Sequence, residues 1–534
     1  MHRCLLVNEI LAQIIHLLIH TPQDERSIHR PWVNRQDIAR LARTCHLFKE
    51  PALDILWNRL GSLGPLFLCL SEDAYEIGRG GLVYPLRKLS LFEVARMKSY
   101  SRRIRHLVKD TSNPSKMFPS LHPRALDTLM AAESPQVLFP SLFSIEISLL
   151  PAPSPSEIIY KLLSPKLTTL RLHTLHETGD SVRQLLDTVL KEAPYLENLS
   201  IVGLKRVNLG ELPLCSLRYI QRLDISRSVE ITNQSIYSLA SLPYLVELRL
   251  ALQQEIDYAL INQLKIRCEE TFPRLRSLKI VATENATQWA SLFALFSCTC
   301  LEEVYIVYDR QCTASYISSF LDVLLSAYSQ PSILRTLIIR HEVKWSVSLE
   351  HPFIFNSATF KSVLQFTHIE TFHCLNAGAY NLDDSFIETA AKAWPRLESL
   401  SLDSFIGLYN SHVTLNSLTF FSAHCKALRD LHISLDASVV PPGHSHTKHS
   451  DSSACPAITI TFRESPLVDT LGVAAFLISN FPHLGSLRSH ATTETTEKWR
   501  SVATIIKAMR EKAMIASHQD SFEEQNGHAA SHIS

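Results

Sequence analysis

The stretch LPYLVELRL at residues 242–250 decides the fold, because its apolar residues are spaced as apolar, two variable residues, apolar, one variable residue, apolar. Leu248 and Leu250 are two residues apart, so in an extended strand both side chains point to the same face. A related stretch, FPRLRSLKI, follows at residues 272–280. A short strand cannot bury its apolar face alone, so the pattern predicts neighbouring copies that stack on one another.

The same pattern occurs twelve times in the chain, and the first apolar residues of successive copies are 24 to 35 residues apart until a last interval of 56. The other ten copies are FPSLFSIEI (139–147), SPKLTTLRL (164–172), APYLENLSI (193–201), LRYIQRLDI (217–225), CTCLEEVYI (298–306), PSILRTLII (331–339), FTHIETFHC (366–374), WPRLESLSL (394–402), CKALRDLHI (425–433) and, imperfectly, FPHLGSLRS (481–489). Unrelated α/β domains that use the same hexamer by chance are the alternative to a repeat array.

Between the copies the apolar spacing becomes helical, as in EIDYALINQLKIRC (255–268) and SYISSFLDVLLSAY (315–328). Each unit is therefore predicted to be a strand followed by a helix. Residues from about 100 to 490 resemble leucine-rich-repeat proteins, although the asparagine or cysteine that this family has after the strand is mostly missing, as in LSLDSFIGL (400–408). The resemblance implies an α/β solenoid with parallel strands on the concave face and helices outside.

The composition excludes several classes of function. The chain has 534 residues, of which 79 are leucine and only 14 are glycine, whereas proteins average about 7% glycine. So few glycines disfavour enzymes that cradle phosphates or nucleotides in glycine loops, and we expect no cofactor. Lysine and arginine (52) balance aspartate and glutamate (52), which removes the field expected of a nucleic-acid or anionic-membrane binder. No apolar run is long enough to predict a membrane span.

The first 62 residues do not follow the repeat and predict three short helices. LLVNEILAQIIHLL (5–18) resembles the opening helix of the F-box, and ARLARTCHLFKEPALDILWNRL (39–60) resembles its closing stretch, in a form similar to fungal F-box proteins. Val7 and Asn8 stand where the family has its proline, and the insertion after His20 is longer than in a minimal F-box. The resemblance implies binding to the Skp-type adaptor of cullin–RING ubiquitin ligases.

The docking surface for the adaptor is predicted from the apolar side chains of the module. It comprises Leu6, Ile10, Leu11, Ile14, Leu53, Leu56 and Trp57. The alternative is a helical cap that seals the N-terminal edge of the solenoid. A cap would turn all its apolar residues toward residue 63 onward, whereas an F-box must leave one face free.

These patterns predict five parts of the chain. They are the F-box-like module (1–62), a linker with irregular first repeats (63–138), the solenoid (139–490) with an exposed loop (438–456) and a possible strand ITITF (458–462), a capping helix (491–517) and a disordered tail (518–534).

Strand alternation also predicts which side chains line the concave face. The predicted row is Arg222, Asp224, Glu247, Arg249, Lys279, Tyr305, Arg340 and His373. Arginine and aromatic side chains are common interface anchors, so we predict that Arg249, Lys279, Tyr305 and Arg340 contact a protein target. A basic cluster at 96–109, which includes Arg102 and Arg103, could receive an acidic or phosphorylated segment, or could be a solvated helix face.

Motifs that carry catalysis or bind metals are incomplete. GRGG (78–81) lacks the third glycine of a dinucleotide fingerprint, HETGD (176–180) and HEVKW (341–345) lack the second histidine of a zinc motif, and GDSV (179–182) has no partner histidine element. His444, His446 and His449 are interpreted as solvated loop residues, so no metal is expected. The eleven scattered cysteines fit reduced thiols, including a buried Cys298 and Cys300, in a cytoplasmic or nuclear protein.

Together the patterns predict a receptor without catalytic residues. The F-box resemblance implies a substrate-recognition subunit of a Skp–cullin–F-box ubiquitin ligase, which binds the adaptor and, through it, a cullin, while the solenoid binds a protein target. Two alternatives remain: a repeat scaffold without a ubiquitin role, and an enzyme such as a hydrolase, which the failed motif searches disfavour.

Overall fold

The computed structural model describes residues 13, 35–78, 81–108, 120–121, 123–132, 138–149, 159–160, 162–174, 179–202, 207–208, 216–225, 229–230, 233–252, 271–282, 293, 300–308, 313–342, 354–376, 379–403, 412–441, 457–463, 465–490 and 493–530. The chain forms two compact units, Met1–Leu245 and Val246–Ser534.

Parallel strands form the main sheet of the first unit, and they pair in chain order. These strands are β1 (Arg59–Leu60), β2 (His106–Val108), β3 (Ser144–Leu149), β4 (Thr169–Thr174), β5 (Asn198–Val202) and β6 (Arg222–Ile225). The helices of this unit are α1 (Arg35–Ala42), α2 (His46–Asn58), α3 (Gly64–Phe67), α4 (Leu91–Ser101), α5 (Pro123–Ala132), α6 (Gly179–Glu192) and α7 (Asn233–Ala240). Smaller sheets join Tyr75–Ile77, Leu82–Pro85 and Ser120–Leu121, and separately Val207–Asn208 and Val229–Glu230.

The second unit continues the same plan with longer strands. Its parallel strands are β7 (Glu247–Leu252), β8 (Ser277–Ala282), β9 (Glu303–Tyr308), β10 (Thr336–His341), β11 (Thr371–Leu375), β12 (Ser399–Asp403), β13 (Asp430–Ile433), β14 (Ile458–Arg463) and β15 (Leu484–His490). Its helices are α8 (Ala314–Ala327), α9 (Asp384–Ala393), α10 (Ser417–His424), α11 (Thr470–Asn480) and α12 (Thr493–Ala530). Two more short strands, Ile354–Asn356 and Ala379–Asn381, pair with each other.

The repeated apolar residues form three buried columns, which explains why the pattern recurs. The column of the second apolar position in the second unit contains Leu248, Leu278, Val304, Leu337, Phe372, Leu400 and Leu431, each at most 1% exposed. Their partners in register lie on adjacent strands, so each side chain packs on its counterpart in the next repeat. Burying one such side chain contributes roughly 1.5–3 kcal/mol, and only stacking supplies that burial.

The turn before each strand is fixed by a recurring pair of main-chain hydrogen bonds. The carbonyl of Arg276 accepts bonds from the amides of Glu302 and Glu303 at 2.8 and 2.9 Å. The carbonyl of Glu302 accepts them from Arg335 and Thr336 in the same way, at 2.9 and 3.0 Å. Each copy therefore sets the position of the next, and the edge of the sheet keeps its donors and acceptors satisfied.

The structure is an α/β leucine-rich-repeat solenoid, as the spacing predicts. Every one of the twelve copies contains a strand, 458–462 belongs to β14, and the helix predicted over 315–328 is α8. The predicted helix 255–268 and most of the loop 438–456 lie outside the described residues. Two described strands of the main sheet, β1 and β2, were not predicted, because they are only two and three residues long. The short strands of the smaller sheets were not predicted either.

Two other expectations differ from the structure. The last helix does not end near 517 but continues to Ala530. The added residues include Gln519, Glu523, Glu524 and Gln525, whose residue types favour helix even without an apolar stripe. Cys300 is exposed rather than buried. It occupies the turn position just before the buried Leu301, where the side chain leaves the core, whereas Cys374 and Cys425 are buried as expected of core thiols.

Candidate protein-interaction surfaces

Helices α1 and α2 pack through a small apolar core in the N-terminal module. Ile38 and Ala52 are buried there, and Leu41, Ala42, Ile55 and Leu56 pack against them. Helix α2 begins after Cys45 without a side-chain cap and contains Pro51 in its second turn. The described part of this core is small, and further contacts of α2 also determine how the helix is held.

The second contact of α2 is with the repeats of its own unit. The Arg103 guanidinium is only 8% exposed and donates hydrogen bonds to the carboxylates of Glu50 and Asp54, one turn apart on α2. The ring of Trp57 stacks on Tyr100 of α4 with 4.7 Å between centroids. The helix then leads directly into β1, which pairs with β2. Helix α2 is thus fixed to the first strands.

Charges at this contact influence one another. Burial lowers the pKa of Arg103, but the hydrogen bonds that it donates to the carboxylates of Glu50 and Asp54 outweigh this effect, and the net shift is upward. The hydrogen bond from Arg103 lowers the pKa of Glu50. Arg103 therefore belongs to an internal ion-pair cluster, and neither a solvated helix face nor a phosphate site describes this member of the basic cluster.

The predicted adaptor-binding residues are only partly described. Leu6, Ile10, Leu11 and Ile14 lie outside the described residues. Leu53 is half-buried and lies outside the apolar core of the module, whereas Leu56 packs within that core. Trp57 is half-buried against Tyr100. Among the predicted docking residues that are described, Leu53 is therefore the one that belongs neither to the core between α1 and α2 nor to the Trp57–Tyr100 contact.

A second apolar surface follows the module, and sequence reasoning missed it. Leu91 and Phe92 begin α4 with 90% and 78% exposure. Ser90 caps this helix through a reciprocal capping box with Glu93, and Arg87 donates two hydrogen bonds to the Glu93 carboxylate at 2.8 and 2.9 Å. These bonds hold the pKa of Glu93 well below its usual range. The exposed pair is thus rigidly presented, but its spacing alone looks like an ordinary helix start.

On the open face of the second unit, three of the predicted target-binding residues lie side by side. Arg249, Lys279 and Tyr305 occupy the same register on β7, β8 and β9. Arg340 is exposed but belongs to the next row, because it pairs with Val307 rather than with Tyr305. Alternation alone allows either row, so the prediction of one continuous row is corrected by the register.

The chemistry of the row formed by Arg249, Lys279 and Tyr305 differs from what the residue types alone suggest. The Arg249 guanidinium pairs with Glu247 on its own strand at 2.6 Å, which offsets its charge. Burial, and then the nearby carboxylate of Glu303, raises the pKa of Tyr305, so the phenol remains a hydrogen-bond donor.

Further along the same row, His373 shares a 2.8 Å hydrogen bond between its Nε2 and the Ser399 hydroxyl. Burial, together with the nearby His432, lowers its pKa to about 4, so the ring is neutral near pH 7. The row therefore passes from the paired charge of Arg249 to the neutral ring of His373.

The first unit carries a row of three exposed tyrosines that the sequence analysis did not single out. Tyr195, Tyr219 and Tyr244 are 56%, 46% and 42% exposed. Their ring centroids are 5.4 and 6.4 Å apart, and the second pair of rings is nearly parallel, at 8°. Each precedes the first buried apolar residue of its repeat, a position that the repeat pattern treats as variable. The sequence signal that could have revealed this row is an aromatic residue at that position in three consecutive copies.

Metal and catalytic motifs acquire no support from their surroundings. Within the described ranges, no three His, Cys, Asp or Glu side chains are grouped as metal ligands, and His444, His446 and His449 lie outside those ranges. GDSV (179–182) begins α6, whereas its position between two copies of the repeat predicts a loop. No described helix is long and apolar enough to cross a membrane.

Comparisons with known proteins find distant structural neighbours. No protein-family model matches the chain, and no curated protein matches it. Solved structures that align with it include the yeast complex of Rad7 and Elc1, at 13% identity and a TM-score of 0.37, over 63% of this chain and 80% of that one. A plant peptide hormone receptor, RGFR1 in complex with RGF2, aligns at 11% identity and a TM-score of 0.30, over 75% of this chain and 57% of the receptor.

The function that follows directly from the architecture is general. Stacked repeats with variable open-face and turn positions form a scaffold that offers extended surfaces to other molecules. The chain is a leucine-rich-repeat scaffold.

Proposed function

We propose that the protein is a substrate-recognition subunit of a Skp–cullin–F-box ubiquitin ligase. In this role the N-terminal module binds a Skp-type adaptor and, through it, a cullin, and the repeats bind a protein target. The chain contributes no catalytic residue. It raises the effective concentration of target lysines near the transferring enzyme.

The observation that carries this proposal is the attachment of an F-box-like module to a repeat scaffold. Residues 5–18 and 39–60 resemble the two ends of an F-box, and α2 is joined to the first strands by Arg103, by the Trp57–Tyr100 stack and by β1. A receptor needs such a rigid joint, because a loose one would spread its bound target over many positions.

The adaptor surface would use the face of α2 that the internal contacts leave available. Ala52, Ile55 and Leu56 face α1, and Trp57 faces α4. Leu53 remains, together with Leu47, which is 39% exposed. With the predicted contributions of Leu6, Ile10, Leu11 and Ile14, a handful of large apolar side chains could supply a stable interface, at roughly 1.5–3 kcal/mol each before the cost of association.

The target surface would be the open face of the second unit. Tyr305 lies in register with Ile338, and both are half-buried, so they offer apolar surface, while Arg340 offers an exposed guanidinium in the adjacent row. Arginine and tyrosine beside apolar surface are the composition of interface hot spots.

A repeat scaffold with no ubiquitin role is the second candidate. The same Trp57–Tyr100 and Arg103 contacts favour it, because a terminal cap also turns its side chains toward the repeats. The two candidates differ in whether Leu53 and the opening helix meet a partner.

Co-purification with a Skp-type adaptor tests the proposal. The full chain should retain the adaptor, and Leu53→Asp combined with Leu11→Asp should abolish retention, because a carboxylate in an apolar interface is left desolvated without a partner. Val468→Asp is the matched control, since Val468 is 75% exposed in the second unit and should leave retention unchanged. If the wild-type chain retains no adaptor, the ligase role is wrong and the scaffold remains.

A further inference from the structure

The tyrosine row of the first unit, Tyr195, Tyr219 and Tyr244, is not required by the fold. The same turn position in the other copies holds Ser141, Lys166, Arg274, Cys300, Ile333, His368, Arg396, Ala427 and His483. Those residues precede the same buried apolar column, so small, charged and polar side chains all satisfy the repeat. Folding therefore does not explain why three consecutive copies carry an aromatic ring at this position.

The rings form one continuous and accessible surface. Each is 42% exposed or more, and successive centroids are 5.4 and 6.4 Å apart. The underlying turns are fixed by main-chain bonds, since the carbonyl of Glu197 accepts the amides of Gln221 and Arg222 at 2.7 and 3.0 Å. A partner would thus meet a preorganised row and would lose little free energy in ordering it.

The polar groups beside the row differ between its two sides. On the strand side stand Glu197 and the exposed Gln221, and among the described residues Glu197 forms no ion pair. On the opposite side stand Pro194, the exposed Arg218 and Pro243. A ligand along the strand side would meet aromatic faces, amide and phenol donors and one carboxylate, with the exposed Arg222 one residue further along the strand.

We propose that the tyrosine row binds an extended proline-rich segment that carries a basic residue, lying along the strand side with its basic group on Glu197. A polyproline II helix rises about 3.1 Å per residue and completes one turn in three residues, so prolines three residues apart lie on the same face about 9 Å apart. That distance fits within the length of the row, whose successive ring centroids are 5.4 and 6.4 Å apart. Its prolines pack on aromatic rings, and its carbonyls have no internal bonds and can accept from the tyrosine hydroxyls and Gln221. The carboxylate of Glu197 selects the basic residue.

This inference is independent of the proposed ligase role, because it concerns a surface that neither the adaptor nor the open face uses. A proline-rich segment could belong to a target or to a regulator, and either would use the same contacts.

Selection of peptides that bind to the full chain, from an immobilised library, tests the proposal. The probe is an immobilised library of twelve-residue peptides with proline fixed at two positions three residues apart and the other positions degenerate. A second library with alanine at the fixed positions is the reference. We expect selection of the proline library, with arginine or lysine enriched at one end.

Variants locate the binding. Tyr219→Arg should weaken binding of the selected peptides by about tenfold or more, the loss typical of an interface anchor. This change places at Tyr219 the residue that Arg274 and Arg396 supply at the same position, so the fold tolerates it, and unchanged thermal melting verifies that. Glu197→Gln should remove the enrichment of basic residues and keep the preference for proline. Arg396→Ala, at the equivalent turn of the second unit, should change neither.

Three outcomes would overturn the inference. They are equal selection of the proline and alanine libraries, enrichment of acidic residues in place of basic ones, and binding that Tyr219→Arg leaves intact. Sedimentation that shows a concentration-dependent dimer, lost in Tyr219→Arg, would assign the row to a second copy of the chain instead.

Discussion

Replacing Arg103 by alanine should release α2 from the repeats while leaving the repeats folded. The guanidinium is 8% exposed and bridges Glu50 and Asp54, whose side chains are 59% and 62% exposed. No other ion pair among the described residues joins α2 to the repeats. The other links are the Trp57–Tyr100 contact, a hydrogen bond of 3.0 Å from the amide of Arg105 to the carbonyl of Asn58, and the two-residue strand β1. Arg103 therefore supplies the ionic part of this joint.

The free energy of unfolding lost in Arg103→Ala should lie between the contribution of a surface ion pair and that of a buried one. Hydrogen bonds to charged groups contribute about 1.5–3 kcal/mol when buried, and exposed ion pairs about 0.2–1 kcal/mol. Since only the Arg103 end is buried, we expect a loss of about 2 kcal/mol, including the packing of its aliphatic stem. For a unit of this size that loss lowers Tm by about 4–8 °C.

Hydrogen exchange measures the release directly. Amides of α2, residues 46–58, should exchange faster in Arg103→Ala, while those of β4 and β5 keep their protection. Arg102→Ala is the matched control, because Arg102 is exposed on the neighbouring position and should leave α2 protected. Equal protection of α2 in wild type and Arg103→Ala would refute the reasoning, and α2 would then be held by its apolar contacts alone.

Two further predictions concern the second unit. The folded pKa of His373 is about 4, below the ordinary value of about 6.5, so the unfolded chain binds the proton first. The stability that neutral His373 contributes to the folded state is complete above about pH 6.5 and is lost as the pH falls toward 4. His373→Gln should therefore weaken the pH dependence of the free energy of unfolding, measured by urea unfolding at several pH values. Arg335 and Glu370 pair at 2.9 Å with 51% and 31% exposure. A double-mutant cycle should give a coupling of about 0.2–1 kcal/mol that shrinks in 1 M salt, and a salt-independent coupling would contradict the electrostatic origin.

The sequence predicts the repeat strands because the spacing of their apolar residues follows directly from which side chains are buried. Leu278, Leu337 and Leu400 must enter the same column in their repeats, so the spacing of apolar residues reveals them without knowledge of any partner. Strand β2 was not predicted because Ile104 and Leu107 supply only the first two apolar positions and Lys109 stands at the third. Strand β1 is only two residues long.

The surfaces were less predictable, since their partners are distant in the chain. Arg103 belongs to a run of basic residues that looks solvated, and its carboxylate partners come 49 and 53 residues earlier. The offset of Arg340 from the row of Tyr305 likewise depends on register between β9 and β10, which alternation within one strand does not fix.

The variable positions of the repeat distinguish stabilising rows from binding rows. In the second unit, the position after the first apolar residue carries Arg276, Glu302, Arg335 and Glu370, and successive members pair at 3.6, 3.9 and 2.9 Å. Their opposite charges satisfy one another, so this row has little left to offer a partner. The tyrosines of the first unit also contact one another, yet their rings keep about half of their surface exposed. Binding sites in such a scaffold should be sought where the side chains of neighbouring repeats keep charge, hydrogen-bonding groups or aromatic surface available to a partner.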